Sequence, residues 1–278
     1  MLKMRLEILL ATYNSEKYLT ELLDSLRAQS YSNWELLVHD DGSTDQTITI
    51  LKEFRKQHGI AIKILSSDRQ LGPMRSFEKL MEYSSAEYIM FCDHDDVWLP
   101  HKIEESLACI QQLEKRNPDQ AALVFSDLEV VDEQLNTIHS SFWNYSKVNP
   151  NNVYNCYKLL INNPAPGCTF IMNKKVKSLV LPFPEQARMH DWWIILKVAE
   201  SGVIDYLKKP GLLYRQHKKN EVGAEGIKNT YLLSRLANLS LTIKRNMESY
   251  RMMKCLSNKY SLLKLLWYKL RISLAKLF

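Results

Sequence analysis

The stretch Tyr88-Ile89-Met90-Phe91-Cys92-Asp93-His94-Asp95-Asp96-Val97-Trp98-Leu99-Pro100 decides how this chain is read. Tyr88–Cys92 is a short, uninterrupted apolar run, the pattern of a strand buried on both faces. Three acids in four positions follow it at once. Acids ahead of a helix commonly cap it and complement its dipole, which accounts for one or two of them before Leu99-Pro100. It does not account for three directly after a buried strand. Asp93 and Asp95 can instead converge on a hard divalent cation, Mg2+ or Mn2+, held together with substrate phosphates.

Working outward, short apolar strands alternate with longer helical patterns. Strands are expected at Leu6–Ala11, Glu35–His39, Ala61–Leu65 and Ala121–Ser126, and helices at Ser15–Gln29, Thr44–Gln57, Pro73–Tyr83 and Pro100–Arg116. Such alternation implies βαβ units, hence an α/β fold with a Rossmann-like, mainly parallel sheet and helices on both faces. Later the pattern loosens. Asn144–Tyr154 reads as a polar loop, Cys168–Met172, Val203–Leu207 and Gly211–Gln216 as strands, and Asp191–Ser201 as a helix. From about Ile227 the chain turns helical and basic, so a domain over residues 1–226 and a helical tail over 227–278 are expected.

The 278 residues carry a net charge of +6. Between Tyr231 and Phe278 stand ten Lys/Arg and one acid, leaving 27 bases against 30 acids elsewhere. The basic charge thus belongs to the tail. Five scattered cysteines without a C-x-x-C pair speak against a disulfide framework or zinc knuckle and fit a reducing compartment. The first residues lead straight into a strand rather than a signal peptide, and no apolar run reaches the roughly 18 residues of a membrane span. A cytoplasmic location is expected. No nucleic-acid-binding module is present.

Polar motifs fall where the early strands end, which is where open α/β sheets bind ligands. Thr12-Tyr13-Asn14 follows the first strand. It can be a simple Asx-type turn, or Tyr13 can stack on a pyrimidine. Asp40-Asp41-Gly42-Ser43-Thr44-Asp45 follows the second. Thr44 or Asp45 suits a helix cap, while the Asp40-Asp41 pair can accept a hydrogen bond from the imide N–H of uracil or thymine.

In order and spacing, Ala11-Thr12-Tyr13-Asn14, then Asp40 to Asp45, then Cys92-Asp93-His94-Asp95-Asp96-Val97-Trp98, resemble the family-2 glycosyltransferases of the GT-A fold. The version Asp93-His94-Asp95-Asp96-Val97-Trp98-Leu99-Pro100, with Lys102-Ile103-Glu104 after it, resembles the rhamnosyltransferase-like branch that builds bacterial surface polysaccharides. The likeness extends from about Leu6 to Val222. It implies a nucleotide-diphosphate sugar donor, dTDP-rhamnose or a UDP-sugar, and a glycan or lipid-linked glycan acceptor. It further implies that Tyr13 and Asp41, within a donor site that includes Thr12 and Asn14, hold the pyrimidine. Asp93 would hold the ribose or metal, and Asp95 the metal.

Met189-His190-Asp191-Trp192-Trp193 resembles the segment carrying that family's base, which makes Asp191 the candidate to deprotonate the acceptor hydroxyl in an inverting displacement. Tyr214-Arg215-Gln216-His217 matches the branch, with His217 a candidate metal ligand or a structural residue, and Arg215 a candidate phosphate contact. Asn163 to Thr169 resembles the loop lining sugar and acceptor; Gly167, Trp98 and Trp192 are the candidate pocket residues there.

In the tail, Leu262, Leu263, Leu266, Leu270, Leu274 and Leu277 recur at helical spacing with lysines between them and Trp267 near the middle. A basic amphipathic helix can lie on an anionic membrane, here the inner membrane surface, or pack on its own domain or on a twin subunit in a homodimer. Three rival readings stand beside this one: a haloacid-dehalogenase-type phosphatase, which uses the same residues with Asp93 as nucleophile; a sugar-phosphate nucleotidyltransferase, which shares the nucleotide-binding half-fold; and a non-catalytic glycan-binding or scaffold protein on a degenerate fold. The first wants its motif on the first strand, and the second a Gly-rich phosphate loop that this chain lacks.

Overall fold

Strand β1 (Leu6–Thr12) pairs in parallel with β2 (Trp34–Asp40) on one side and β4 (Tyr88–Cys92) on the other, and β2 continues to β3 (Ile62–Ser66). The computed structural model describes residues 5–67, 69–217, 239–257 and 259–275. Helices α1 (Glu16–Arg27), α2 (Thr47–His58) and α3 (Pro73–Tyr83) link the parallel strands, and α4 (Lys102–Arg116) follows them.

Period-two alternation sorts β1 between two cores. Leu6, Ile8 and Leu10 meet Leu22 and Leu26 of α1, Leu51 of α2 and Ile103 and Leu107 of α4 on one face. Leu9 joins Leu37, Phe77, Leu80 and Phe91 on the other. Helices cover both faces, as the sequence predicts.

The parallel arrangement holds across β3-β2-β1-β4. Beyond β4 the sheet is mixed. It continues through β8 (Ile171–Asn173), β6 (Ala122–Val131), β9 (Val203–Arg215) and β5 (Val97–Trp98), while β7 (Thr137–His139) pairs with β6 off this path. The contacts β4–β8, β6–β8, β5–β9 and β6–β7 are antiparallel, and β6–β9 is parallel.

Two expected strands near the end of the domain are one. Val203 to Arg215 stays paired with β6 by absorbing its irregularity in register shifts around Asp127, which pairs with Pro210. The expected polar loop holds the end of α5 (Phe142–Tyr145) and a 3-10 turn at Pro150–Tyr154, where Asn149 Oδ1 accepts the Asn151 N–H. Helices α6 (Cys156–Leu159), α7 (Lys175–Val180) and α8 (His190–Ser201) complete this part; α6 and α7 are too short to show a period.

The C-terminal segment forms α9 (Leu239–Leu256) and α10 (Leu262–Ala275). They pack on α8 and α6, and Met252, Met253, Leu256 and Leu265 are buried in the same core as Phe91 and Trp193. Arg188 pairs with Glu248 at 3.6 Å, Lys259 with Glu200 at 3.2 Å, and Tyr268 stacks flat on Tyr157. The helical appendage is therefore seated on the body, because each helix keeps one apolar face inward. The expected boundary at 226/227 lies outside the described residues, as does Leu277. Among the described residues no helix is long and apolar enough to cross a membrane.

Candidate active site

The sheet order reverses between β1 and β4, and their C-terminal ends stand side by side, with Leu10 in register with Cys92 and Thr12 with Asp40. Three motifs far apart in sequence therefore meet at one switch point.

The first two interlock. Thr12 Oγ1 donates to Asp40 Oδ1 at 2.9 Å, and Asp40 also accepts the Ser43 N–H at 2.9 Å and its hydroxyl at 2.6 Å. Asn14 holds a left-handed φ of +48° and accepts the Thr44 N–H at 2.9 Å, while its own N–H donates to Ser43 Oγ. Asp45 accepts the N–H groups of Glu16 and Thr47, closing the starts of α1 and α2. Thr12, Asn14 and Asp40 thus clip the two loops together, and Tyr13 is left 44% exposed at the rim. Asp41 is buried and accepts the N–H groups of Leu71 and Gly72, both at 2.7 Å, which pins the loop entering α3 to the end of β2.

The acids after β4 meet the end of β9. Strand β5 pairs with the end of β9, Val97 with Leu213, and so carries the loop holding Asp95 and Asp96 to the segment that ends in His217. Asp95 Oδ2 lies 2.8 Å from His217 Nε2, with both side chains largely buried. Burial, then the Asp95 and Asp191 carboxylates, push Asp93 up to about 7.

These residues fit a divalent cation. Asp95 Oδ2 and His217 Nε2 hydrogen-bond directly at 2.8 Å, and a small turn of either side chain would let this oxygen and nitrogen share an ion whose bonds run about 2.0–2.2 Å. A cation there would relieve the crowding of negative charge at Asp93. A second group, Asp93, Asp96 and Cys168, brings its ligating atoms within 4.8 Å of one another. Burial and the neighbouring carboxylates push the Cys168 thiol well above its ordinary value, and its soft sulfur suits hard Mg2+ or Mn2+ less well than the donors of Asp95 and His217.

Asp191 lies in the first turn of α8. Its Oδ2 accepts the Gly167 N–H at 3.2 Å and its Oδ1 the Trp192 N–H at 2.5 Å. Burial pushes its carboxyl up to about 6, and the two N–H donors and the Arg188 guanidinium limit the rise. A carboxylate so placed is ionised at neutral pH yet basic enough to take a proton. Gly167 is needed for this approach, since a Cβ there would stand 3.0 Å from His190 Nε2 and 3.2 Å from the Asp191 Cβ. Trp192 is half-buried, donates from Nε1 to the Leu159 carbonyl at 2.6 Å, and lies under the Arg188 guanidinium.

Trp98 does not join this group. It is 2% exposed, packed in the core behind the acids with the buried Lys102 ammonium 4.5 Å from its ring. Arg215 is also placed differently from a phosphate contact. It is buried, donates to the carbonyls of Asp95 and Glu133, and pairs with Glu21.

Sequence reasoning passed over His190. Its ring is buried and stacks on Phe77 at 4.3 Å, and burial pushes it down to about 3, so it is a neutral wedge beneath Asp191. Its apolar neighbours come from α3 and β4, and nothing in the sequence spacing announces that contact.

A family model described as Glycosyl transferase family 2 matches residues 7–178. The chain is 27% identical over 227 residues to the dTDP-rhamnosyl transferase RfbG of Shigella flexneri, covering 77% of this chain and 74% of that one. It is 28% identical over 192 residues to an Escherichia coli UDP-Glc:alpha-D-GlcNAc-diphosphoundecaprenol beta-1,3-glucosyltransferase, WfgD, covering 68% and 69%. Among solved structures, Staphylococcus aureus TarS 1-349 in complex with UDP-GlcNAc superposes with a TM-score of 0.61 at 20% identity, over 90% of this chain and 72% of that one.

Proposed function

The chain belongs to glycosyl transferase family 2, and from that premise we propose that it is an inverting, metal-dependent enzyme of cell-surface polysaccharide synthesis. The observation that carries the reading is what gathers at the neighbouring C-terminal ends of β1, β2 and β4: an exposed tyrosine, a carboxylate–imidazole pair and, close enough to act on Asp93, a buried carboxylate held by two N–H donors.

Tyr13 stacks on a pyrimidine at the rim, and Asp41 shapes the floor of that pocket by holding Leu71 and Gly72. Asp93 faces the ribose. Asp95 and His217 would hold Mn2+ or Mg2+, which when bound would neutralise charge developing on the departing diphosphate. Asp191 takes the proton of the acceptor hydroxyl as that oxygen attacks the anomeric carbon from the face opposite the nucleotide. The backbone of Gly167 and the ring of Trp192, which flank Asp191, line the sugar and acceptor.

The donor is dTDP-rhamnose or a UDP-hexose, consistent with the names of the Shigella and E. coli relatives. A thermal-shift panel of dTDP- and UDP-sugars, each with and without Mn2+ or Mg2+, tests this. A bound donor at a hundredfold excess over its dissociation constant adds about 2.7 kcal/mol to the folded state. One sugar nucleotide that raises the melting temperature only with metal supports the reading. No shift with any pair removes it.

The acceptor is a glycan on a lipid carrier, and the enzyme works at the inner face of the cell membrane. Helix α10 supports this: Leu265 faces inward, whereas Leu263 (79% exposed), Leu266, Trp267 and Leu270 (60% exposed) face out. Lys264, Lys269 and Arg271 lie among them in the basic tail, which suits an anionic lipid surface. The full-length protein is expected to co-sediment with phosphatidylglycerol-containing vesicles and not with neutral phosphatidylcholine ones. The doubly substituted Leu263→Glu, Leu266→Glu protein should stay in the supernatant. Equal binding by both proteins, or a dimer that buries this face in solution, would remove the membrane assignment.

A further inference from the structure

The chemistry proposed for the cleft makes no use of Tyr18, yet this side chain backs the Asp95–His217 pair. It lies in the first turn of α1, and its ring stacks on the His217 imidazole with centroids 5.0 Å apart and planes 25° from parallel. The Arg215 guanidinium lies 4.7 Å from the centre of the same ring. At the ring's edge, the Tyr18 hydroxyl donates to Glu133 Oε1 at 2.8 Å, and Lys17 pairs with that same carboxylate.

Arg215 ties the assembly to the acidic loop. Its Nε donates to the Asp95 carbonyl at 2.8 Å, its Nη1 to the Glu133 carbonyl at 2.6 Å, and its backbone N–H to Asp96 Oδ1 at 3.2 Å. Four segments meet here: the start of α1, the loop after β4, the turn after β6 and the end of β9.

We propose that Tyr18 is a positioning residue that fixes the plane of the His217 imidazole against Asp95, with Arg215 and Glu133 holding the tyrosine ring in place. The bond to Asp95 fixes one ring nitrogen of His217, and the ring's plane is set by what packs on its faces, each rotamer aiming the nitrogens differently. Stacking on a ring that is itself held by a hydrogen bond and a cation selects one orientation. Outer partners that orient a metal-binding histidine by hydrogen bonds typically set metal affinity by about 10–100-fold, and a ring that fixes the same imidazole by stacking is expected to reach the lower end of that range. The inference rests on the metal role proposed for Asp95 and His217.

The test is Mn2+ binding to the full-length protein with saturating UDP, and in parallel with dTDP, followed by the loss of the free-ion electron paramagnetic resonance signal. Tyr18→Ala should weaken Mn2+ binding by up to about 10-fold while leaving metal-free nucleotide affinity within about twofold. Tyr18→Phe keeps the ring and should remain within a few-fold of wild type, which a role for the hydroxyl alone would not allow. Tyr18→Leu keeps the bulk without the aromatic face and should behave like Tyr18→Ala; it also stands in should the alanine protein fail to fold. Wild-type Mn2+ affinity in the leucine or alanine protein, or equal losses of metal and metal-free nucleotide binding, would overturn the positioning role alone. A wild-type protein that binds no Mn2+ with either nucleotide overturns the metal assignment, and the inference falls with it.

Discussion

Asp191→Asn is expected to lower kcat by about 10²–10⁴-fold, the range contributed by a positioned general base, while donor affinity stays nearly unchanged. The amide preserves shape but cannot take a proton. One of its two terminal atoms still accepts a backbone N–H, from Trp192 or Gly167, so the first turn of α8 should persist. Initial rates on the purified protein, beside donor binding measured at equilibrium, separate the two effects. The pH profile adds a second check. The group pushed up to about 6 must be deprotonated to act, so wild-type kcat/KM should fall about tenfold per unit below pH 6 and level off above it. Asn at position 191 should abolish that limb. Turnover at the wild-type rate would remove Asp191 from the mechanism.

Asp95→Ala is expected to erase the metal-dependent part of donor binding and to cut turnover by at least about 10–100-fold, since losing even an outer partner of a metal site costs that much. His217→Ala should act in the same direction but more weakly, because the carboxylates remain to attract the ion. The reading is the melting temperature at fixed nucleotide as Mn2+ is titrated, with nucleotide alone as the control. If Asp95→Ala protein keeps the wild-type Mn2+ response, the cation is held elsewhere, and Asp93 with Asp96 becomes the group to examine.

Much of the first half of the chain was readable because its signals are local. Helix Pro73–Tyr83 and strand Tyr88–Cys92 coincide with their sequence readings, and the other early elements differ by a few residues at their ends. Each has an apolar period long enough to report its partner layer, and the proline and polar punctuation mark where it stops. The mixed part of the sheet beyond β4 was less legible. Strands of two or three residues, such as Val97–Trp98 and Ile171–Asn173, exist only because a neighbouring strand hydrogen-bonds them. A run that short carries no period of its own.

The same distinction runs through the site. The sequence by itself determined which chemistry is present: acids at the ends of two buried strands, a tyrosine beside them, and a further acid opening a late helix. Those identities follow from local composition and order. Only the tertiary structure decided what each residue touches. It turned Asp41 onto two backbone N–H groups and withdrew Trp98 into the core. It brought His217 within 2.8 Å of Asp95 across 122 positions of chain. It also made Tyr18, a residue on an ordinary amphipathic helix, the surface against which that histidine rests. Burial and contact are properties of the packed sheet, where β5 meets β9 and α1 meets the strand ends, and no spacing along the chain encodes those meetings.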